Sequence, residues 1–149
     1  MILGLAILAG CTPTAGVDLP VSALRAEAAS ELAPPGAVVL RTVQAEPFNN
    51  ITGHEAAFYG HLFGVPVVAT DIHAFYDGEL AKLGWRVTRA PSRSTIDTAG
   101  WAWCKPKLLF SPSILDPRGY SVIPLTGAEQ YQTVIDARLA GVDEGCPTG

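Results

Sequence analysis

The sequence predicts an α+β domain: a mainly antiparallel sheet in the order β-β-α-β-β-β, with one helix packed on a face and a short N-terminal helix before it. Three observations carry this. The segment from Asp71 to Leu83 has clear helical periodicity with recognisable ends. Around it lie several short runs rich in β-branched and aromatic residues. Twelve prolines and fifteen glycines divide the chain into many turns and short elements.

Taken in order, Thr12 to Asp18 is polar or small, as a tether would be. Pro20 suits the first turn of a helix, where its missing N–H has no partner to lose. Val21 to Leu32 contains good helix formers, with Leu24, Ala28 and Leu32 along one side, and Pro34-Pro35-Gly36 ends it. The folded domain is expected to begin with the strand Ala37 to Val43. A loop through Pro47-Phe48-Asn49-Asn50 follows, and Glu55 to Phe63 alternates large and small side chains as an antiparallel partner strand.

In the central helix Thr70 is placed to cap the N-terminus, and Asp71 sits at the positive end of the helix dipole. Ile72, Phe75, Tyr76, Leu80 and Leu83 share a face. Gly84 supplies a left-handed stop, with Trp85 placed to fold back onto the last turn. Trp85 to Arg89 reads as a strand with Trp85 and Val87 inward. Pro91 to Gly100 is a polar loop. Trp101 to Phe110 reads as one strand, interrupted or bent at Pro106 and therefore expected near a sheet edge. Ser111 to Gly119 is a connection of uncertain form. The last element is ambiguous: Thr126 and Glu129 have capping-box spacing, and Tyr131, Val134, Ile135 and Leu139 fit a helical face, yet Thr133-Val134-Ile135 favours a strand. The expected core draws on Val39, Phe58, Phe75, Leu80, Trp85, Trp103 and Ile135.

The N-terminal Ile2–Gly10 run is apolar or small and ends in Leu8-Ala9-Gly10-Cys11. This resembles the lipobox of bacterial lipoproteins, in which the small residues admit a signal peptidase and the cysteine becomes the lipid-bearing first residue. The resemblance implies a signal peptide over residues 1–10, a lipidated tether over 11–36 and a single domain over 37–149. It implies a palmitate-type lipid anchor on Cys11 and a place on the outer side of a cell membrane, periplasmic or on the outer surface. Met1 runs directly into Ile2-Leu3 without the positive charge with which such signals open, so translation is expected to begin further upstream. The stretch Phe75-Tyr76-x-x-Glu79-Leu80-x-x-x-Gly84-Trp85 also looks like one found in small uncharacterised bacterial lipoproteins, which implies a fold more than an activity.

With Cys11 assigned to lipid, Cys104 and Cys146 remain as a pair in an oxidising compartment; two reduced thiols are the competing reading. A formal charge of −4 and a pI near 5.2 provide no basic cluster for nucleic acid. Nor does any basic run mark a second membrane contact.

Few residues point to chemistry. His54-Glu55-Ala56-Ala57-Phe58 begins like a zinc-protease HExxH, but Phe58 stands where the second histidine belongs. His61 lies an odd offset from His54, hence on the opposite face of a regular strand. His54 and His61 are therefore expected to be partly exposed, with no metal and no cofactor. His73 and Asp77 are an i,i+4 helical pair, without an evident nucleophile. Ser92, Ser94, Thr95 and Asp97 read as turn residues, and the sequon Asn50-Ile51-Thr52 as coincidence. Trp101 and Trp103 share one side of a strand, and would form a glycan- or peptide-binding platform if outward and core if inward. The expectation is a non-enzymatic envelope module with an envelope protein or glycan as partner. The alternative is a hydrolase-like enzyme using His73 or His54 with a nearby carboxylate, marked by convergence of histidine and carboxylate to about 3 Å in a concave pocket.

Overall fold

The computed structural model describes residues 19–51, 53–66, 69–89, 101–115, 127–142 and 146. The chain runs through helix α1 (Val21–Ala26), a 3₁₀ turn (Ala28–Glu31), β1 (Val38–Ala45), β2 (Phe48–Asn50), β3 (Gly53–Glu55) and β4 (Phe58–Val65). It continues through α2 (Ala69–Lys82), β5 (Arg86–Arg89), β6 (Trp101–Lys105), β7 (Leu108–Leu115), a second 3₁₀ turn (Ala128–Gln130) and β8 (Thr133–Gly141). Six strands form one antiparallel sheet in the order β1-β4-β8-β7-β6-β5, and β2 pairs only with β3 in a separate hairpin. The α+β class and the central helix agree with the sequence. The β2–β3 hairpin replaces the loop expected there.

Strand alternation divides the sheet's side chains between two layers. On one face Tyr59, Phe63, Trp103, Phe110, Ile135, Ala137 and Leu139 pack beneath Val21, Leu24 and Ala29 of the N-terminal segment and Ile72, Tyr76 and Leu80 of α2. On the other, Leu62, Val134 and Ala128 form a smaller cluster with Leu40, Val43 and Leu115. β4 and β8 are central and covered on both sides, and β4 is buried from Tyr59 through Val65. Gly60 and Gly64 make this layering possible. A Cβ on Gly60 would strike the backbone of Ala137, and one on Gly64 would enter the ring of Tyr131, which lies over it.

The helix α2 ends as its sequence requires. Gly84 has φ +78°, the Gly84 N–H bonds to the Ala81 carbonyl, and the Trp85 N–H reaches back to the Leu80 carbonyl at 3.0 Å. That is the Schellman pair, closed by Trp85 buried against the core. The helix starts at Ala69, so Thr70 lies within its first turn rather than capping it.

Several expectations change. Residues 19–35 are not tether. Val21, Leu24 and Ala29 belong to the core, and the Tyr76 hydroxyl donates to the Leu32 carbonyl. The expected single helix breaks at Glu27, whose ψ of 131° is extended; this rotates the buried face, so Ala29 is enclosed and Ala28 exposed. Pro20 is the N-cap, one residue before the first turn. Val39 and Val87, expected inward, are 52% and 65% exposed, because β1 and β5 are the two sheet edges. Phe58 and Phe75 are only half-buried.

Pro106 does not bend one strand but turns between two. It occupies the first central position of the β6–β7 turn, and Lys107 takes φ +69° at the second. Both strands are therefore interior. Pro112, inside β7, is tolerated because β6 pairs with β7 only from Leu108 to Phe110, so no donor is missed on that side. Ser111–Leu115, read as a connection, completes β7. The final element is a strand, β8, and it lies between β4 and β7.

Candidate functional site

The most concentrated polar chemistry lies where β1, β4 and the first 3₁₀ turn meet. Tyr59, His61 and Phe63 share the helix-facing side of β4, and the imidazole packs edge-on to Tyr59 at 5.3 Å and tilted to Phe63 at 5.5 Å. Thr42 is registered opposite His61 on β1 and places Oγ1 3.0 Å from Nδ1. The 3₁₀ turn ends on Glu31, whose carboxylate spans two partners. One oxygen lies 3.3 Å from His61 Nε2, and the other accepts the Tyr59 hydroxyl at 3.1 Å. The same hydroxyl lies 3.4 Å from Nε2, and the Arg25 guanidinium stands 5.7 Å over the Tyr59 ring.

A carboxylate, an imidazole and a hydroxyl thus stand in series. With the ring proton on Nε2 directed at Glu31, Nδ1 accepts from Thr42, which is the polarity of a general base acting on a hydroxyl. Both ring nitrogens are engaged and the ring is buried, 6% exposed, whereas Glu31 retains 63% side-chain exposure. Solvent therefore screens the Glu31–His61 contact. Burial pushes the Tyr59 phenol up from its ordinary value; the Glu31 carboxylate adds to this, and Arg25 partly opposes it. The mechanical effect is plain: Glu31 and Arg25 clamp the N-terminal segment onto the sheet.

The sequence-predicted residues fall elsewhere. His73 stacks against Trp101 at 4.6 Å and Trp103 at 5.5 Å. Asp77, expected to pair with His73, accepts the Trp103 indole N–H at 3.2 Å. Trp103 is 1% exposed and belongs to the core, so the two-tryptophan platform does not form. Its position opposite Phe110 beneath α2 is the reason. Trp101 stays half-buried, leaving an edge beside His73. Cys104 and Cys146 are disulfide-bonded, with Cα atoms 5.4 Å apart.

His54 is exposed on β3, with Nδ1 3.0 Å from Asn49 Oδ1. His61 differs from expectation in being buried. Cys11, Thr52, Ser92, Ser94, Thr95 and Asp97 lie outside the described residues. Among the described residues no cluster of three or more His, Cys, Asp or Glu side chains is arranged for a metal, and no helix is long and apolar enough to cross a membrane.

The His61 cluster was missed in the sequence although part of its signal is there: Tyr59-x-His61-x-Phe63 is the period-2 spacing that places three rings on one strand face. Nothing local says that Thr42 would stand in register or that Glu31 would fold back over the ring. No protein-family model matches the chain, and neither a curated protein nor a solved structure is detectably similar to it.

Proposed function

We propose that the chain is a lipid-anchored envelope protein, attached through Cys11 to the outer side of a cell membrane, whose domain binds an envelope protein or a glycan. The Cys104–Cys146 bond carries this reading, since it fits an oxidising compartment and accounts for two of three cysteines. Cys11 then stands alone directly behind Leu8-Ala9-Gly10. The binding role needs no cofactor and involves no nucleic acid, in keeping with the acidic balance. Engagement of both His61 nitrogens supports a structural duty for that histidine, and the Trp101 edge beside His73 is a surface on which a sugar ring would stack.

The test is metabolic labelling with a radioactive fatty acid. Label on the parent protein, abolished by Cys11→Ala, is the expected result; an unlabelled parent, or label that survives the substitution, refutes the anchor.

A second reading has one specific observation in its favour: histidine and carboxylate converge to 3.3 Å at His61 and Glu31, with the exposed Thr42 hydroxyl on the other ring nitrogen. In this reading Thr42 is the nucleophile of a hydrolase, in place of the His73 or His54 chemistry expected from sequence. Turnover of activated esters that Thr42→Ala abolishes would establish it. Turnover absent from the parent protein would dismiss it.

A further inference from the structure

The β2–β3 hairpin stands apart from the main sheet, and all three β2 residues are exposed. It carries two of the largest exposed apolar side chains of the described residues, Phe48 at 49% and Ile51 at 105%, the latter in the turn itself. Pro47 to Gly53 contains no charged residue. Single apolar residues scattered on a surface need no explanation, but an uncharged hairpin bearing an exposed Phe and Ile is a different kind of surface.

Its position gives it an occupant. The Val21 N–H donates to Glu46 Oε2 at 3.1 Å, so the first turn of the folded domain is fastened to the root of this hairpin. Between Cys11 and Leu19 lie Thr12 to Asp18, and that length of chain spans at most about 30 Å in any conformation. A lipid on Cys11 therefore keeps this end of the domain within about 30 Å of the bilayer surface.

We infer that the Phe48–Ile51 hairpin is a second membrane contact, seating its Phe48 and Ile51 side chains in the bilayer surface beside the lipid anchor. The inference rests on the anchor proposed above. Side chains of this kind partition into the interface between headgroups and acyl chains. Glu46 and Glu55 flank the hairpin, so the contact is apolar rather than basic and gains nothing from anionic lipid. A neutral bilayer is its natural partner, and salt leaves it unchanged.

The experiment uses the full lipidated protein with Ile51→Cys in phosphatidylcholine vesicles. Cys11 is acylated and the other two cysteines are bonded, so position 51 holds the one reactive thiol, on a side chain that packs against nothing. A nitroxide there is compared with one at exposed Ala74→Cys on α2, using oxygen and a water-soluble nickel complex as relaxing agents. The expected result is oxygen access without nickel access at position 51, at a depth of about 5–10 Å, and nickel access at position 74. With lipid confirmed on Cys11 by mass spectrometry, nickel access at position 51 equal to that at position 74 overturns the hairpin contact and leaves the anchor standing. Exclusion of both agents also overturns it, as a protein contact. Absence of lipid from Cys11 removes both proposals.

Discussion

Leu24→Ala tests whether residues 19–35 are tether or core. Leu24 has no exposed surface, and lies in the cluster that joins α1 to β4, β8 and α2. Truncating an enclosed leucine loses its transfer free energy and leaves a cavity, together about 2–5 kcal/mol. Taking about 3 kcal/mol and a urea m value of about 1.5–2 kcal/mol/M for a domain of this size, the urea midpoint should fall by roughly 1.5–2 M. The assay is equilibrium unfolding by fluorescence and circular dichroism, on protein beginning at Thr12 with the disulfide intact. Ala33→Ser, at an exposed position in the same segment, is the control and should stay within about 0.5 kcal/mol. A midpoint shift for Leu24→Ala no larger than the control's would refute the reasoning, because a solvated tether leucine contributes almost nothing to the folded state.

Replacing Cys104 and Cys146 together by serine opens a loop of sequence separation 42 and should cost about 4 kcal/mol on the loop-closure argument, read as a lower urea midpoint. Gly60→Ala should destabilise by at least about 2 kcal/mol, since the added methyl meets the backbone of a central strand. Gly64→Ala should be partly rescued by Tyr131→Ala, which empties the space its methyl would enter, whereas Gly60→Ala should gain nothing from that second change. Burial raises the Tyr59 phenol and drives the Tyr76 phenol far above its ordinary value, so above pH 10.0 the folded chain holds protons that the unfolded chain releases. Stability from both groups is therefore complete below pH 10.0 and falls as pH rises beyond it. Tyr76→Phe should flatten that alkaline decline in a pH series of urea midpoints, and an unchanged slope would count against it.

Legibility in the sequence followed the range of the interaction concerned. The α2 stop was readable because Gly84 and Trp85 act within one turn of the residues they cap. The β8 strand shows in its β-branched run, although the same residues also fit a helical face. The β6–β7 hairpin is hard to read locally, because a proline within an apolar run fits a bent strand as well as the first residue of a turn, and the φ of +69° at Lys107 has no glycine to announce it. At the site, the ring spacing on β4 was visible, while its partners come from Thr42, nineteen residues away, and from the end of a 3₁₀ turn.

By itself the sequence determined the α+β class and the central helix with its C-terminal stop, and it favoured a strand over a helix for the last element. These depend on local backbone preference, on periodicity and on residue type, which neighbours in the chain express without reference to the rest of the fold. Only the tertiary structure decided that residues 19–35 belong to the core, that Val39 and Val87 lie at exposed edges, that Trp103 is enclosed while Trp101 is not, and that Glu31, Thr42, Tyr59 and His61 meet. Burial and side-chain pairing depend on strand order and register, and these are set by which distant segments cover one another.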